Sequence, residues 1–170
     1  MVDPEYCTAM AEYNRWQNDS LLEVSSKLMP GEFEADKGLF FQSMAKTWNH
    51  ILLMDLAWLD RFHYRPIQKT DFQEMQFSGL DELRILRKEL DSTILAWVQN
   101  ITKEWLAEDL KFYSYLYKRE ITLPLWLVLT HFFNHQTHHR SQISTALLQS
   151  GLDYGVTDIP WNPFYPKGKE

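Results

Sequence analysis

Two histidines four residues apart, His135 and His139, are the residues of this sequence best suited to chemistry. On an α-helix this spacing places both imidazoles on one face, one turn apart, where they can bind the same metal ion. Residues 126–148 contain no glycine or proline, which predicts a helix there. Four of the six histidines of the chain fall between residues 131 and 139. The pattern therefore predicts a divalent-metal site.

Both histidines lie on or beside the apolar face of that helix. At about 100° per residue, one stripe collects His139 and five apolar residues, namely Leu125, Val128, Phe132, Ile143 and Ala146. His135 lies within about 40° of the stripe by the same periodicity. Burying two unpaired imidazoles costs free energy, which a bound metal would avoid. His131 is also four residues from His135, so a rival pair remains open. A hydrogen-bonded core histidine is the alternative without a metal.

A third ligand is expected from the second predicted helix. His50 is the only other histidine that the apolar pattern places toward the core, among Ser43, Thr47 and Met54. Three neutral imidazoles leave at least one position on the metal for water, which is typical of a reactive site and not of a closed structural one. Zn²⁺ fits such ligands, and Ni²⁺, Fe²⁺ and Co²⁺ also accept imidazole.

Four segments with helical periodicity must position these side chains. The first begins at the dipeptide Asp3-Pro4, an N-cap followed by proline, and ends at Pro30-Gly31. The second covers residues 40–64, with His50 on its inward face.

The second half of the chain contains two more helices with a different segment between them. Ser78, with Asp81 three residues later, resembles a capping box at the start of the third helix. Its apolar stripe consists of Leu83, Leu86, Leu90, Ile94, Trp97 and Ile101. Residues 111–123 are rich in aromatic and β-branched side chains, which predicts a short hairpin or an extended connection. Pro124 opens the fourth helix and Gly151 closes it.

These elements predict an all-α protein, a four-helix bundle that forms one domain over residues 1–170. The prolines and glycines of residues 152–170 predict an irregular tail. Part of this tail is expected to pack on the bundle or on a second subunit, through Ile159, Trp161, Phe164 and Tyr165.

Composition excludes several classes of protein. The chain has 170 residues, a formal net charge of −6 and no long run of Lys and Arg, which argues against a nucleic-acid-binding face. No apolar run is long enough to span a membrane, and the N-terminus lacks the features of a signal peptide. Cys7 is the only cysteine, so no internal disulfide can form and a reducing, cytoplasmic location is expected. The zincin motif and phosphate-binding glycine loops are absent from the sequence.

Two polar residues interrupt the apolar stripe of the first helix. Asn14 and Gln17 are candidates to line a pocket above the metal or to hydrogen-bond a ligand histidine. An equal alternative is that they are ordinary polar residues near the end of a bundle. Arg140 lies about 100° around the helix from His139, so we expect it to serve structure or a dimer and not to bind substrate.

Several short motifs resemble those of the DinB family, part of the DinB/YfiT-like metalloenzymes. They are Tyr13-Asn14-Arg15-Trp16, Asn49-His50, Leu123-Pro124-Leu125-Trp126, His131-Phe-Phe-Asn-His135-Gln-Thr-His-His139-Arg140 and the closing segment 151–158. The motifs occur in the family's order and span nearly the whole chain. The segment from Asn134 to Arg140 is the most specific of them.

The resemblance implies a bundle with up-down-down-up connections, often a homodimer, that binds one divalent metal through three histidines. Those positions match His50, His135 and His139, which favours His139 over His131 as the partner of His135. Nickel and zinc are the metals associated with such proteins. Relatives in the wider superfamily are thiol-dependent S-transferases and an isomerase, whose metal activates a low-molecular-weight thiol.

The sequence thus predicts a metal-dependent enzyme, either a thiol-dependent transferase or a hydrolase, that acts on a small molecule and binds neither nucleic acid nor membrane. The alternative is a non-catalytic metal-binding protein of the stress response. A fourth protein ligand from Asp or Glu would favour that alternative, because it would close the coordination position that catalysis needs.

Overall fold

Four long helices and one β-hairpin form the fold in the computed structural model, which describes residues 2–68 and 71–164. The long helices are α1 (Pro4–Ser25), α2 (Met44–Phe62), α3 (Leu80–Val98) and α5 (Leu125–Gln149). A single helical turn, α4 (Lys103–Leu106), precedes strands β1 (Asp109–Ser114) and β2 (Arg119–Pro124), and a 3₁₀ turn covers Ile159–Trp161. The predicted four-helix bundle and the hairpin before the last helix are confirmed.

The order in which the helices pack decides which residues meet. Helix α1 packs against α3 and α5, and α2 packs against α5 and α3. Helices α1 and α2 are consecutive in sequence but lie diagonally across the bundle, as do α3 and α5. Because α2 and α5 are neighbours, side chains from the first third of the chain can meet side chains from the last third.

The helix starts follow from their caps. The Asp3 carboxylate accepts a hydrogen bond from the Tyr6 backbone N–H at 2.8 Å, which confirms the predicted start of α1. The predicted start of the second helix at residue 40 is wrong by four residues. The Ser43 hydroxyl accepts from the Lys46 N–H at 3.2 Å, and Gln42 has a φ of 72°, so the helix begins only at Met44.

Two further predicted boundaries differ from the structure. Helix α1 ends at Ser25, earlier than Pro30, and turns fill the interval. Ser78 does not form the predicted capping box at the start of α3. Gly79 is the N-cap, and the Glu82 carboxylate accepts from the Ser78 N–H at 2.7 Å and from its hydroxyl at 2.8 Å. The acidic partner thus lies four residues after Ser78, at Glu82, and Asp81 is not involved.

The core lies along the bundle axis and continues under the hairpin. Its large, fully buried side chains include Trp48, Phe132, Phe133 and Leu110. Leu110 belongs to β1 and attaches the hairpin to the bundle. None of the described helices is both long and apolar enough to cross a lipid bilayer.

The segment after α5 returns along α1. The Tyr13 hydroxyl donates to the Thr157 carbonyl at 2.7 Å, and the Gln17 amide donates to the Val156 carbonyl at 3.1 Å. The guanidinium carbon of Arg15 lies 4.2 Å from the centre of the Phe164 ring. The tail therefore packs on the bundle through the carbonyls of Val156 and Thr157. The predicted contact residues Ile159, Trp161 and Phe164 stay 48%, 66% and 51% exposed, and Tyr165 lies outside the described residues.

Candidate metal centre

Three imidazoles from two helices meet at one point. His50 lies on α2, and His135 and His139 lie one turn apart on the neighbouring α5. One ring nitrogen of each lies within 4.8 Å of the others. The Nε2 atoms of His50 and His135 are 3.1 Å apart. In a tetrahedral site with metal–nitrogen bonds of about 2.0–2.1 Å, two ligand nitrogens lie roughly 3.3 Å apart. The spacing of these nitrogens therefore suits one metal ion.

Burial keeps the three imidazoles neutral. Desolvation, with a smaller effect of His139, lowers the pKa of His50 to about 4. Desolvation and the neighbouring histidines lower the pKa of His135 to about 3. The pKa of His139 is also lowered, first by desolvation. A metal binds the lone pair of neutral imidazole, so at neutral pH no proton has to leave before binding.

Other side chains hold two of these rings in place. The Nδ1 atom of His139 faces the Gln142 side-chain oxygen at 3.4 Å, which leaves Nε2 for the centre. The ring of Phe41 stacks on His50 with centroids 4.2 Å apart and lies 5.6 Å from His139. The sequence analysis missed Phe41 and Gln142. The three-residue spacing from His139 to Gln142 on a helix was an available signal, whereas no local pattern pointed to Phe41.

The other two histidines of the cluster lie beside the centre. His131 packs edge-on against Trp58 at 5.5 Å and lies 5.6 Å from His135, measured between ring centroids. His138 contacts His139 and the Gln142 side chain on the exposed side of α5. Neither belongs to the group of converging nitrogens. The geometry therefore groups His50 with His135 and His139, and not the rival pair that includes His131.

The converging group contains histidines alone. Among the residues that the structure describes, no cysteine or carboxylate joins His50, His135 and His139. The fourth protein ligand that would favour a purely structural site is thus missing from this part of the chain. A metal bound here would keep coordination positions for an exogenous molecule.

A buried polar network joins the two helices that carry the converging histidines. The Asp55 carboxylate of α2 accepts from the Gln136 amide of α5 at 2.7 Å and from the Arg87 guanidinium of α3 at 2.6 Å. Arg87 also contacts the Asp91 carboxylate at 2.9 Å, and Asp91 accepts from the Asn18 amide of α1 at 3.1 Å. All five residues are at most 3% exposed. Because Gln136 follows His135 in sequence, the network sets the position of α5 relative to α2.

This network adds Arg87 to the predicted inward face of α3, whose residues Leu83, Leu90 and Ile94 are buried. Arg87 is fully buried, whereas its neighbour Leu86, predicted to face the core, is only partly buried. An arginine on a helix ordinarily indicates the solvent face, because an unpaired buried charge is very costly. Here the Arg87 guanidinium pairs with two carboxylates, and one of them, Asp55, belongs to another helix.

Neither pocket candidate of the first helix forms a hydrogen bond with a histidine in the described part of the chain. Gln17 is buried and lines a cavity between α1, α5 and the tail, and none of the three converging histidines lines that cavity. Asn14 is 1% exposed, and its amide has no hydrogen-bond partner in the described part of the chain. Arg140 is buried, donates to Asn18 at 3.3 Å and lines the same cavity as Gln17.

The fold and the site together define a helical bundle with a three-histidine centre suited to one metal ion. The sequence profile of the DinB family matches residues 1–168, so this chain belongs to the DinB family.

Comparison with known proteins agrees with that assignment. The chain is 23% identical over 163 residues to Protein DinB of Bacillus subtilis strain 168, and the match covers 91% of each protein. Its structure is similar to that of YfiT from Bacillus subtilis, with a TM-score of 0.67 at 15% identity, over 90% of this chain and 92% of the other. YfiT is described as a probable metal-dependent hydrolase with an unusual four-helix bundle topology.

Proposed function

We propose that this protein is a metal-dependent hydrolase of small molecules that binds one divalent cation through His50, His135 and His139. The observation that supports the proposal best is the convergence of three neutral imidazole nitrogens within 4.8 Å, with no carboxylate among them. The description of YfiT as a probable metal-dependent hydrolase favours hydrolysis over group transfer.

The chain's own residues would prepare the site in three ways. The histidines present their Nε2 atoms, and Gln142 orients the His139 ring through Nδ1. Phe41 covers one side of His50 and excludes water there. When bound, a divalent cation lowers the pKa of a water or thiol and polarises a substrate oxygen. Imidazole ligands suit Zn²⁺ and Ni²⁺, and we propose one of these as the native ion.

The site could equally take up a thiol in place of water, since both are exogenous ligands of the same kind of position. The use of a low-molecular-weight thiol, a homodimer and a cytoplasmic location stay predictions from the sequence.

Metal analysis of two matched variants tests the ligand set. His50→Ala removes one converging nitrogen, whereas His131→Ala removes a histidine of the same cluster that does not converge. Loss of a supporting hydrogen bond already weakens metal binding by about 10–100-fold, so we expect at least that loss for His50→Ala. His131→Ala should keep one ion per chain. Metal retained by His50→Ala and lost by His131→Ala would establish the rival pair and overturn the proposal.

Activity is tested on the same proteins. We expect hydrolysis of chromogenic carboxylic and phosphoric esters that follows the metal content, disappears in His50→Ala and persists in His131→Ala. Parallel assays with glutathione and cysteine distinguish hydrolysis from thiol transfer. A metal-loaded protein inactive toward both ester classes would refute the hydrolase proposal while leaving the metal site intact.

A further inference from the structure

The cavity that Gln17 lines has a volume of about 270 Å³ and lies between α1, α5 and residues 154–157 of the tail. The residues of α5 that line it lie at least about 100° around the helix from His139. None of the three converging histidines is among its lining residues. The cavity is therefore separate from the candidate metal centre, and a ligand bound in it would be independent of the proposed hydrolase activity.

The wall of this cavity carries a single charge. Polar and apolar surface contribute to it about equally, and Arg140 is the only charged residue that lines it. No acidic residue lines it. A partly enclosed site whose only formal charge is positive attracts anions in preference to cations or neutral molecules.

Arg140 has no carboxylate in direct contact with its guanidinium in the described part of the chain, although the buried carboxylates of Asp91 and Asp55 act on its charge from a greater distance. Its side chain donates to the neutral oxygens of Asn18 at 3.3 Å and Thr137 at 3.2 Å, and its guanidinium lies 5.4 Å from the centre of the Tyr13 ring. In the described part of the chain Arg140 forms no ion pair, whereas the two buried carboxylates contact Arg87. Both hydrogen bonds are longer than the 2.7–2.9 Å typical of bonds from a cation to an anion.

The tail forms part of the wall. Gly155, with a φ of 79°, turns the chain so that the carbonyls of the next two residues accept hydrogen bonds from Tyr13 and Gln17. These bonds hold Tyr154 and Thr157 over the cavity. The side chain that bears the charge is 4% exposed, so an anion there would be largely shielded from solvent.

We propose that this cavity, here called the Arg140 cavity, binds a small molecule through one carboxylate or phosphate group placed against the Arg140 guanidinium. Guanidinium groups bind both kinds of oxyanion by paired hydrogen bonds. Drug-sized ligands occupy pockets of about 300–1,000 Å³, so the size of this cavity favours a smaller metabolite.

Two-dimensional NMR titration of the full chain tests the proposal with inorganic phosphate and malonate, against sodium chloride at equal ionic strength. Thr145→Phe places a ring at the rim of the cavity and leaves Arg140 untouched. Thr93→Phe on α3 is the matched control, because both threonines are exposed and donate to the carbonyl four residues earlier.

We expect saturable shifts of the amides of residues 154–157 with phosphate, malonate or both. The affinity should fall by at least about tenfold, or 1.4 kcal/mol, in Thr145→Phe, and it should not change in Thr93→Phe. His50→Ala must bind the probes as wild type does, since phosphate can also bind a metal. A response to neither probe beyond that of chloride, or equal affinity in Thr145→Phe, overturns the proposal. Binding lost in His50→Ala would assign the response to the metal centre and overturn it as well.

Discussion

Replacing Asp55 with Asn should destabilise the protein far more than the same chemical change in a surface ion pair. Asp55 is 1% exposed, and its carboxylate is 2.6 Å from the Arg87 guanidinium. Asp55→Asn leaves Arg87 buried with one acidic partner, and breaking a buried pair in this way costs about 3–5 kcal/mol. Glu23 and Arg84 are also 2.6 Å apart, but the Glu23 side chain is 68% exposed. Glu23→Gln should therefore cost at most about 1 kcal/mol.

Urea unfolding followed by circular dichroism measures both free energies of unfolding, with similar m-values expected for the two variants. Folding stabilities are about 5–15 kcal/mol in total, so the loss in Asp55→Asn should be visible as a large shift of the midpoint. Metal affinity should also fall in Asp55→Asn, because Gln136 loses its charged acceptor next to His135. Equal destabilisation by Asp55→Asn and Glu23→Gln would refute the argument that burial, and not the short distance, gives the Asp55 pair its importance.

Three more predictions concern the centre and the only cysteine. Gln142→Leu removes the acceptor of His139 Nδ1 and should weaken metal binding by about tenfold, as measured by competition with a chromogenic chelator. Cys7 is fully buried, and burial raises the pKa of its thiol to about 12, so a thiol reagent should label it only in urea; rapid labelling of the native protein would contradict this. Below pH 6.5 the unfolded chain takes up protons on His50 and His135 before the folded chain does, because their folded pKa values are about 4 and 3. As the pH falls from 6.5 toward 4, the free energy of unfolding of the metal-free protein should therefore decrease by on the order of 1 kcal/mol per pH unit for each of the two histidines. Thermal unfolding at several pH values measures this. A His50→Gln variant that is as pH-sensitive as wild type would argue against it.

Local patterns predicted the elements well where the signal lies within a few residues. The sequence predicted the Asp3-Pro4 cap, the aromatic strands before Pro124 and the glycine after α5, because capping and strand preference act over one turn or a few residues. Local patterns did not predict the start of α2. Residues 40–43 continue the helical spacing in the sequence, but the left-handed Gln42 and the N-cap Ser43 keep these residues out of the helix.

Part of the candidate site was also predictable from local sequence, and part required tertiary packing. Helical periodicity alone puts His135 and His139 on one face of α5, because residues four apart always lie together on a helix. The apolar pattern of the second helix and the family resemblance also predicted His50 as the third ligand. Bringing its ring to within 3.1 Å of His135, which lies 85 residues away, needed the packing of α2 against α5.

The sequence by itself determined that this chain forms amphipathic helices, that it carries the motifs of the DinB family, and which histidines are the candidate metal ligands. Only the tertiary structure decided that Arg87 is buried, that Phe41 covers His50, and that Arg140 lines a separate cavity. The reason is physical. A residue's helical face and its capping depend on near neighbours in the chain, whereas the partner that allows a charge to be buried comes from another helix.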